Sequence, residues 1–204
     1  MEKRTKGGTS RRELTERLII THSSPTLAGL KTANLFSCAC TDAEKLSSDI
    51  EELNSRLSPK GVHAACPRMR DGSALIYIYR KCRLMRDLEN ETAAEILSSR
   101  GYNTGDFDAC VAELFRRISE CRASHCFPHE VGCFLGYPPA DVMGFIENGA
   151  EGALCAGCWK VYGDAAGAVR TFEKYKKCAA VYYTQWSQGK SIERLTVADR
   201  NIFF

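Results

Sequence analysis

Residues 127–145 read FPHEVGCFLGYPPADVMGF, and the fold turns on how this stretch is arranged. Pro128 suits the first turn of a helix, where no backbone N–H is required. Val131, Phe134 and Leu135 recur at i, i+3 and i+4 and make one apolar face. At about 100° per residue, His129, Gly132, Cys133 and Gly136 fall on the opposite side. Tyr137-Pro138-Pro139 breaks the helix. A second one starts near Ala140, turns Val142, Phe145 and Ile146 inward, and ends at Gly149 and Gly152. A helical hairpin is therefore predicted at 128–147.

Within this hairpin Glu130 suits a helix N-terminus electrostatically. His129 does not, because a cation is disfavoured there. The small neighbours Gly132 and Gly136 leave space beside it, either for a ligand or for a packed neighbour. The same spacing fits a helix-turn-helix. Its second helix, however, carries Asp141, Gly144 and Glu147 and no Lys or Arg, and so lacks the donors that read base edges.

Charge outside the hairpin agrees with that. Six of the 28 basic and three of the 25 acidic residues lie in 1–20, leaving 22 of each in the body. A neutral body has no broad electrostatic footprint for nucleic acid. One local basic group is Arg68, Arg70, Arg80, Lys81, Arg83 and Arg86, read as a solvated hairpin and helix end. The 204 residues suffice for one domain with a full core. No apolar run is long enough for a bilayer or a signal-peptide core. Eleven cysteines, scattered through helix-like and strand-like segments, suit reduced and buried thiols, not a secreted disulfide scaffold. A cytoplasmic protein with no membrane and no nucleic-acid partner is expected.

Along the chain, residues 1–13 read as a flexible tail and 14–204 as a single α+β domain. Leu14–Thr21 reads as a helix end or a strand, stopping at His22. Ser24-Pro25-Thr26 then looks like a cap opening a short helix. Ala33–Cys40 reads as a strand, and Thr41-Asp42 opens an amphipathic helix to Leu57. Val62–Met69 and Ala74–Tyr79 flank Asp71-Gly72 as a β-hairpin, the second strand central. Helices are predicted at 81–88, 91–100 and 106–121. Trp159–Tyr162 is a short strand, Asp164 caps a long helix, Ser191 caps a last one, and Asn201–Phe204 is an apolar end. The fold class is α+β: a small mixed or antiparallel sheet of three to five strands covered by helices.

HEVGCFLGYPPADVMGFI, with HSSPTLAGLKTANLF at 22–36, GSALIYIYR at 72–80 and CWKVYGDAAGAVRTFEKYKKC at 158–178, resembles an uncharacterised bacterial family, domain of unknown function 3793. The matching segments span most of the chain beyond residue 20. The resemblance implies a small intracellular protein of anaerobic bacteria and no established activity. The chain departs from the family pattern at Cys133, usually aliphatic, and at Ser23, often Cys, which argues against either as an essential thiol.

The candidate ligand or anion site comprises His22, Ser24, Thr26 and Lys31 around the expected helix start, together with His129, Glu130, Trp159 and Lys160. No cofactor is expected. A metal would draw on Cys126, His129, Cys155 and Cys158, near Cys121 and His125. Cys155-Ala-Gly-Cys158 lacks the second pair of a structural zinc site. It also precedes a strand, whereas redox pairs sit at a helix N-terminus. Gly189-Lys190-Ser191 lacks the upstream glycine of a phosphate loop. The expected role is a small binding or regulatory protein with an unknown small-molecule or protein partner. The alternatives are an enzyme or redox/metal accessory protein using His22, Lys31, His129 and Cys158, and a helix-turn-helix regulator.

Overall fold

SALIYIYR, residues Ser73–Arg80, alternates two sets of buried side chains, and the molecule is built on both. In the computed structural model this is β3, the central strand of an antiparallel sheet ordered β1 (Ala33–Ala39), β3, β2 (Val62–Arg70). Successive strand residues point to opposite faces. Leu75, Tyr77 and Tyr79 therefore join one core, and Ala74, Ile76 and Ile78 the other. The structure describes residues 11–122 and 127–199, with residues 11–15 described by backbone alone. The expected tail at 1–10, His125, Cys126 and the apolar end at 201–204 lie outside the described residues.

The first core takes helices α3 (Lys81–Leu88), α4 (Glu91–Ser98), α5 (Phe107–Glu120), α6 (Val131–Phe134) and α7 (Pro139–Asn148). The second takes α1 (Arg11–Leu27), α2 (Ala43–Leu57) and α9 (Ile192–Leu195), with Tyr182 and Trp186 of α8 (Ala165–Ser187). Asp71 and Gly72 both adopt positive φ, 53° and 72°. That is the turn a two-residue hairpin requires. The expected caps form: Asp42 accepts from Lys45 N–H at 2.9 Å and Asp164 from Gly167 N–H at 2.8 Å. Two short strands, β4 (Cys155–Ala156) and β5 (Lys160–Val161), form a separate antiparallel pair. No described helix is long and apolar enough to cross a membrane, and no disulfide joins the described cysteines.

Two local expectations are corrected. α1 already includes residues 11–13, and it runs without a break through His22, Ser24 and Pro25. Ser24-Pro25-Thr26 is its last turn, not the opening of another helix. Gly29 at φ 71° ends it, with Leu30 N–H on Pro25 C=O at 2.8 Å and Gly29 N–H on Thr26 C=O at 3.1 Å. This is the pair of bonds of a Schellman stop. The buried guanidinium of Arg80 then donates to Thr26 and Leu27 carbonyls, at 2.6 and 2.7 Å, and to Asp199 at 2.6 Å. That tertiary clasp holds a helix end that local propensity alone reads as a helix start.

In the hairpin, α6 is a single turn, Val131–Phe134, where a longer helix from Pro128 is expected. Gly136 at φ 69° closes it, seated so close to Thr32 and Asp87 that a Cβ would stand 2.4 Å from Thr32 Oγ1. Gly132 and Cys133 are buried as well as Phe134 and Leu135, so the turn is enclosed on both faces. Gly132 accommodates Val142 of α7, 2.7 Å from where a Cβ would be. Both glycines thus admit packed neighbours.

Candidate functional site

α7 starts at Pro139, preceded by Pro138 in extended conformation, and Asp141 falls in its first turn. Asp141 is 4% exposed, and both carboxylate oxygens are engaged. Oδ2 accepts the indole N–H of Trp159 at 2.7 Å. Oδ1 accepts the backbone N–H groups of Tyr162 and Gly163 at 2.8 and 2.9 Å. A buried carboxylate is tolerable only with such donors around it. One side chain therefore fastens the β4–β5 hairpin to α7.

Small residues allow the fit. A Cβ on Gly144 would stand 2.5 Å from the Tyr162 ring, and one on Gly157 2.3 Å from the Phe172 ring of α8. Tyr137 stacks on Trp159 with centroids 5.0 Å apart, and Trp159 meets Phe172 edge-on at 4.6 Å. The Tyr137 hydroxyl donates to the Cys158 carbonyl at 3.0 Å. Burial raises the pKa of Tyr137 and so keeps its hydroxyl a neutral donor.

Between the hairpin and α6–α7 this leaves a cleft of about 530 Å³. Its walls are Phe127, Val131, Tyr137, Val142, Phe145 and Trp159, with Gly132, Ala156 and Gly157 filling in. His129 and Lys160 also line it, as does Asp141, whose carboxylate oxygens are taken up by the hairpin donors. The His129 ring stands edge-on to Phe145 at 4.9 Å. Among the described residues, neither the imidazole nor the Lys160 ammonium has a hydrogen bond or ion pair within the protein. The cleft is an apolar, aromatic slot with two basic side chains available to a ligand.

Of the residues singled out from sequence, His129, Trp159 and Lys160 meet in this cleft. Lys31 lies behind it, its ammonium 5.2 Å from the Tyr137 ring centre. Glu130 points elsewhere: it is buried and accepts from Tyr102 and Arg117 at 3.0 and 3.1 Å. His22, Ser24 and Thr26 do not join the others. His22 stacks on Phe36 at 4.8 Å, Ser24 donates to Ile20 C=O, and Thr26 bonds Asn34 at 2.8 Å. No helix start lies there, so the argument for an anion at that point falls away. Cys155 and Cys158 occupy the β4–β5 hairpin. No group of three His, Cys, Asp or Glu is placed to hold a metal among the described residues. Cys133 is sealed in, its thiol pushed up to about 12 by burial.

Sequence reading missed Asp141, Tyr137 and Phe127 as site-forming. The signal for Asp141 is an acid one turn after Pro138-Pro139, a residue type that suits a clamp on backbone N–H groups as well as it disfavours base reading. A family described as protein of unknown function (DUF3793) matches residues 19–196. No curated protein and no solved structure matches the chain.

Proposed function

The chain belongs to the DUF3793 family, and we propose that it is a small-molecule-binding protein whose ligand is a planar ring bearing an acidic group. The ring lies in the cleft against Phe145 and the stacked pair of Tyr137 and Trp159. The acidic group meets Lys160 and His129. The observation that carries this reading is the pairing of an aromatic, apolar cavity with two basic side chains that have no hydrogen bond or ion pair among the described residues. A volume of about 530 Å³ falls in the usual range for small-molecule sites. Such sites combine apolar walls with a few placed polar groups.

The cytoplasm is the compartment this reading takes, in keeping with unbridged cysteines. Duplex reading by α7 is disfavoured, because Asp141 is buried, Gly144 is covered by Tyr162 and the helix has no Lys or Arg. No metal or cofactor enters the proposal.

The test is to purify the protein gently from its native host, denature it, and identify released small molecules by mass spectrometry. An Ala156→Trp variant, with the cleft filled, is treated alongside. A ring-bearing acid enriched in the wild type and lost from the variant is expected. The same released molecules in both proteins would overturn the proposal.

A further inference from the structure

Cys155-Ala156-Gly157-Cys158 forms the first arm and the tip of the β4–β5 hairpin, and the cleft's ligand chemistry uses neither thiol. Cys158 is exposed, and Cys155 is half-buried three residues before it. Lys31, 5% exposed, stands against the same Tyr137 that holds the hairpin. Among the described residues its ammonium has no hydrogen bond or ion pair and rests against the Tyr137 ring. Tyr137 in turn bonds the backbone of Cys158. A buried ammonium with no counter-ion is costly. Burial pulls the Lys31 pKa down to about 8, and the nearby Cys158 side chain acts on it in the opposite direction.

We propose that Cys158 and Cys155 form a thiol–disulfide exchange site, with Lys31 supplying positive charge beside the attacking sulfur and a small disulfide as co-reactant. Redox pairs elsewhere obtain that charge from a helix N-terminus. This pair sits in a hairpin, and Lys31 takes the helix's place. The Cys158 thiol loses its proton and its sulfur attacks one sulfur of the disulfide RSSR. A Cys158–SR bond forms, the S–S bond of RSSR breaks, and RS⁻ leaves and takes up the proton. Cys155, deprotonated in turn, attacks the Cys158 sulfur. The Cys155–Cys158 bond forms and the second RS⁻ leaves as RSH. Two protein thiols are oxidised and one RSSR is reduced to two RSH. This chemistry stands or falls independently of the cleft's ligand.

The experiment treats the full chain with oxidised glutathione at pH 7 and maps products by peptide mass spectrometry. The wild type should form a Cys155–Cys158 bridge. Cys155→Ser should instead accumulate a glutathione adduct on Cys158. Lys31→Met should slow the reaction at Cys158 about tenfold, the effect of losing one close charge. Should Lys31→Met fail to fold, the trapping result with Cys155→Ser decides alone. Adducts spread evenly over Cys66, Cys82, Cys158 and Cys178 would overturn the proposal. So would a folded Lys31→Met protein reacting as fast as wild type, or a pair that reacts only after a chelator is added.

Discussion

Asp141 Oδ2 accepts the indole N–H of Trp159 at 2.7 Å, and this bond joins the helix and the hairpin that face each other across the cleft. The same carboxylate holds two backbone N–H groups of the hairpin. The cleft therefore depends on one buried acid. Asp141→Ala strands three donors and is expected to cost about 3 kcal/mol, in line with hydrogen bonds to a charged group. Asp141→Asn keeps an acceptor for the backbone donors and should cost less. Urea unfolding gives the stability difference, and Trp159 emission should shift to the red as the loosened hairpin admits water to the indole.

Tyr77, fully buried in the first core, donates to the Phe134 carbonyl at 2.6 Å and so ties the sheet to α6. Tyr77→Phe leaves that carbonyl without its donor. A loss of about 1–3 kcal/mol follows from an unsatisfied buried acceptor, read as a lower urea midpoint at unchanged slope.

Lys31 predicts a rise in stability with pH. Its folded pKa, about 8, lies below the ordinary 10.5. Between these values the unfolded chain binds the proton and the folded chain does not, so stability increases as pH rises through that window. Below pH 8 both states are protonated and the full penalty of burying the charge applies. Lys31→Met should thus be the more stable protein at pH 7. Its advantage should shrink by up to about 3 kcal/mol by pH 10.5. Urea midpoints of both proteins at the two pH values check it, other titrations cancelling in the difference.

The acid side belongs to Arg56, which bonds Glu193 of α9 and also Glu16 of α1, the latter at 2.6 Å. Its hydrogen bond holds the Glu193 pKa down to about 2, against an ordinary 4.5. A depressed carboxylate contributes stability that is complete above about pH 4.5 and is lost as pH falls toward 2. Because the pair is partly solvated, Glu193→Gln should cost only about 1 kcal/mol at pH 7. The variant and wild type should converge near pH 2, as followed by circular dichroism.

How much of this was legible beforehand divides along physical lines. Asp71-Gly72 between two β-rich runs, and Asp42 and Asp164 before apolar periodicity, are local signals, and the corresponding turn and caps form. α1 was misread because Pro25 looks like a helix start, while the bonds that keep it at a helix end come from Arg80, far along the chain. In the second sheet, the strand expected at Trp159–Tyr162 contains β5, whereas β4, two residues in a run of small side chains, is too short for any periodicity. For the site, His129, Trp159 and Lys160 stood out as residue types, and they share one cleft. Glu130 also stood out, but its partner Tyr102 lies 28 residues away. Asp141 was visible only as an acid, because its donors sit 18 to 22 residues downstream.

The central claim is tested most directly by Trp159 itself. The chain has two tryptophans, so Trp186→Phe leaves Trp159 as the only indole reporter, inside the cleft. This protein is titrated with a panel of planar aromatic carboxylates and phosphates. A saturable change in Trp159 emission with at least one of them is predicted. Its Kd should weaken about tenfold in Lys160→Ala, the scale of one charge-assisted contact. His129→Ala should weaken binding as well, with Tm nearly unchanged. No saturable response from any member of the panel, or equal affinity in wild type, Lys160→Ala and His129→Ala, would contradict the account.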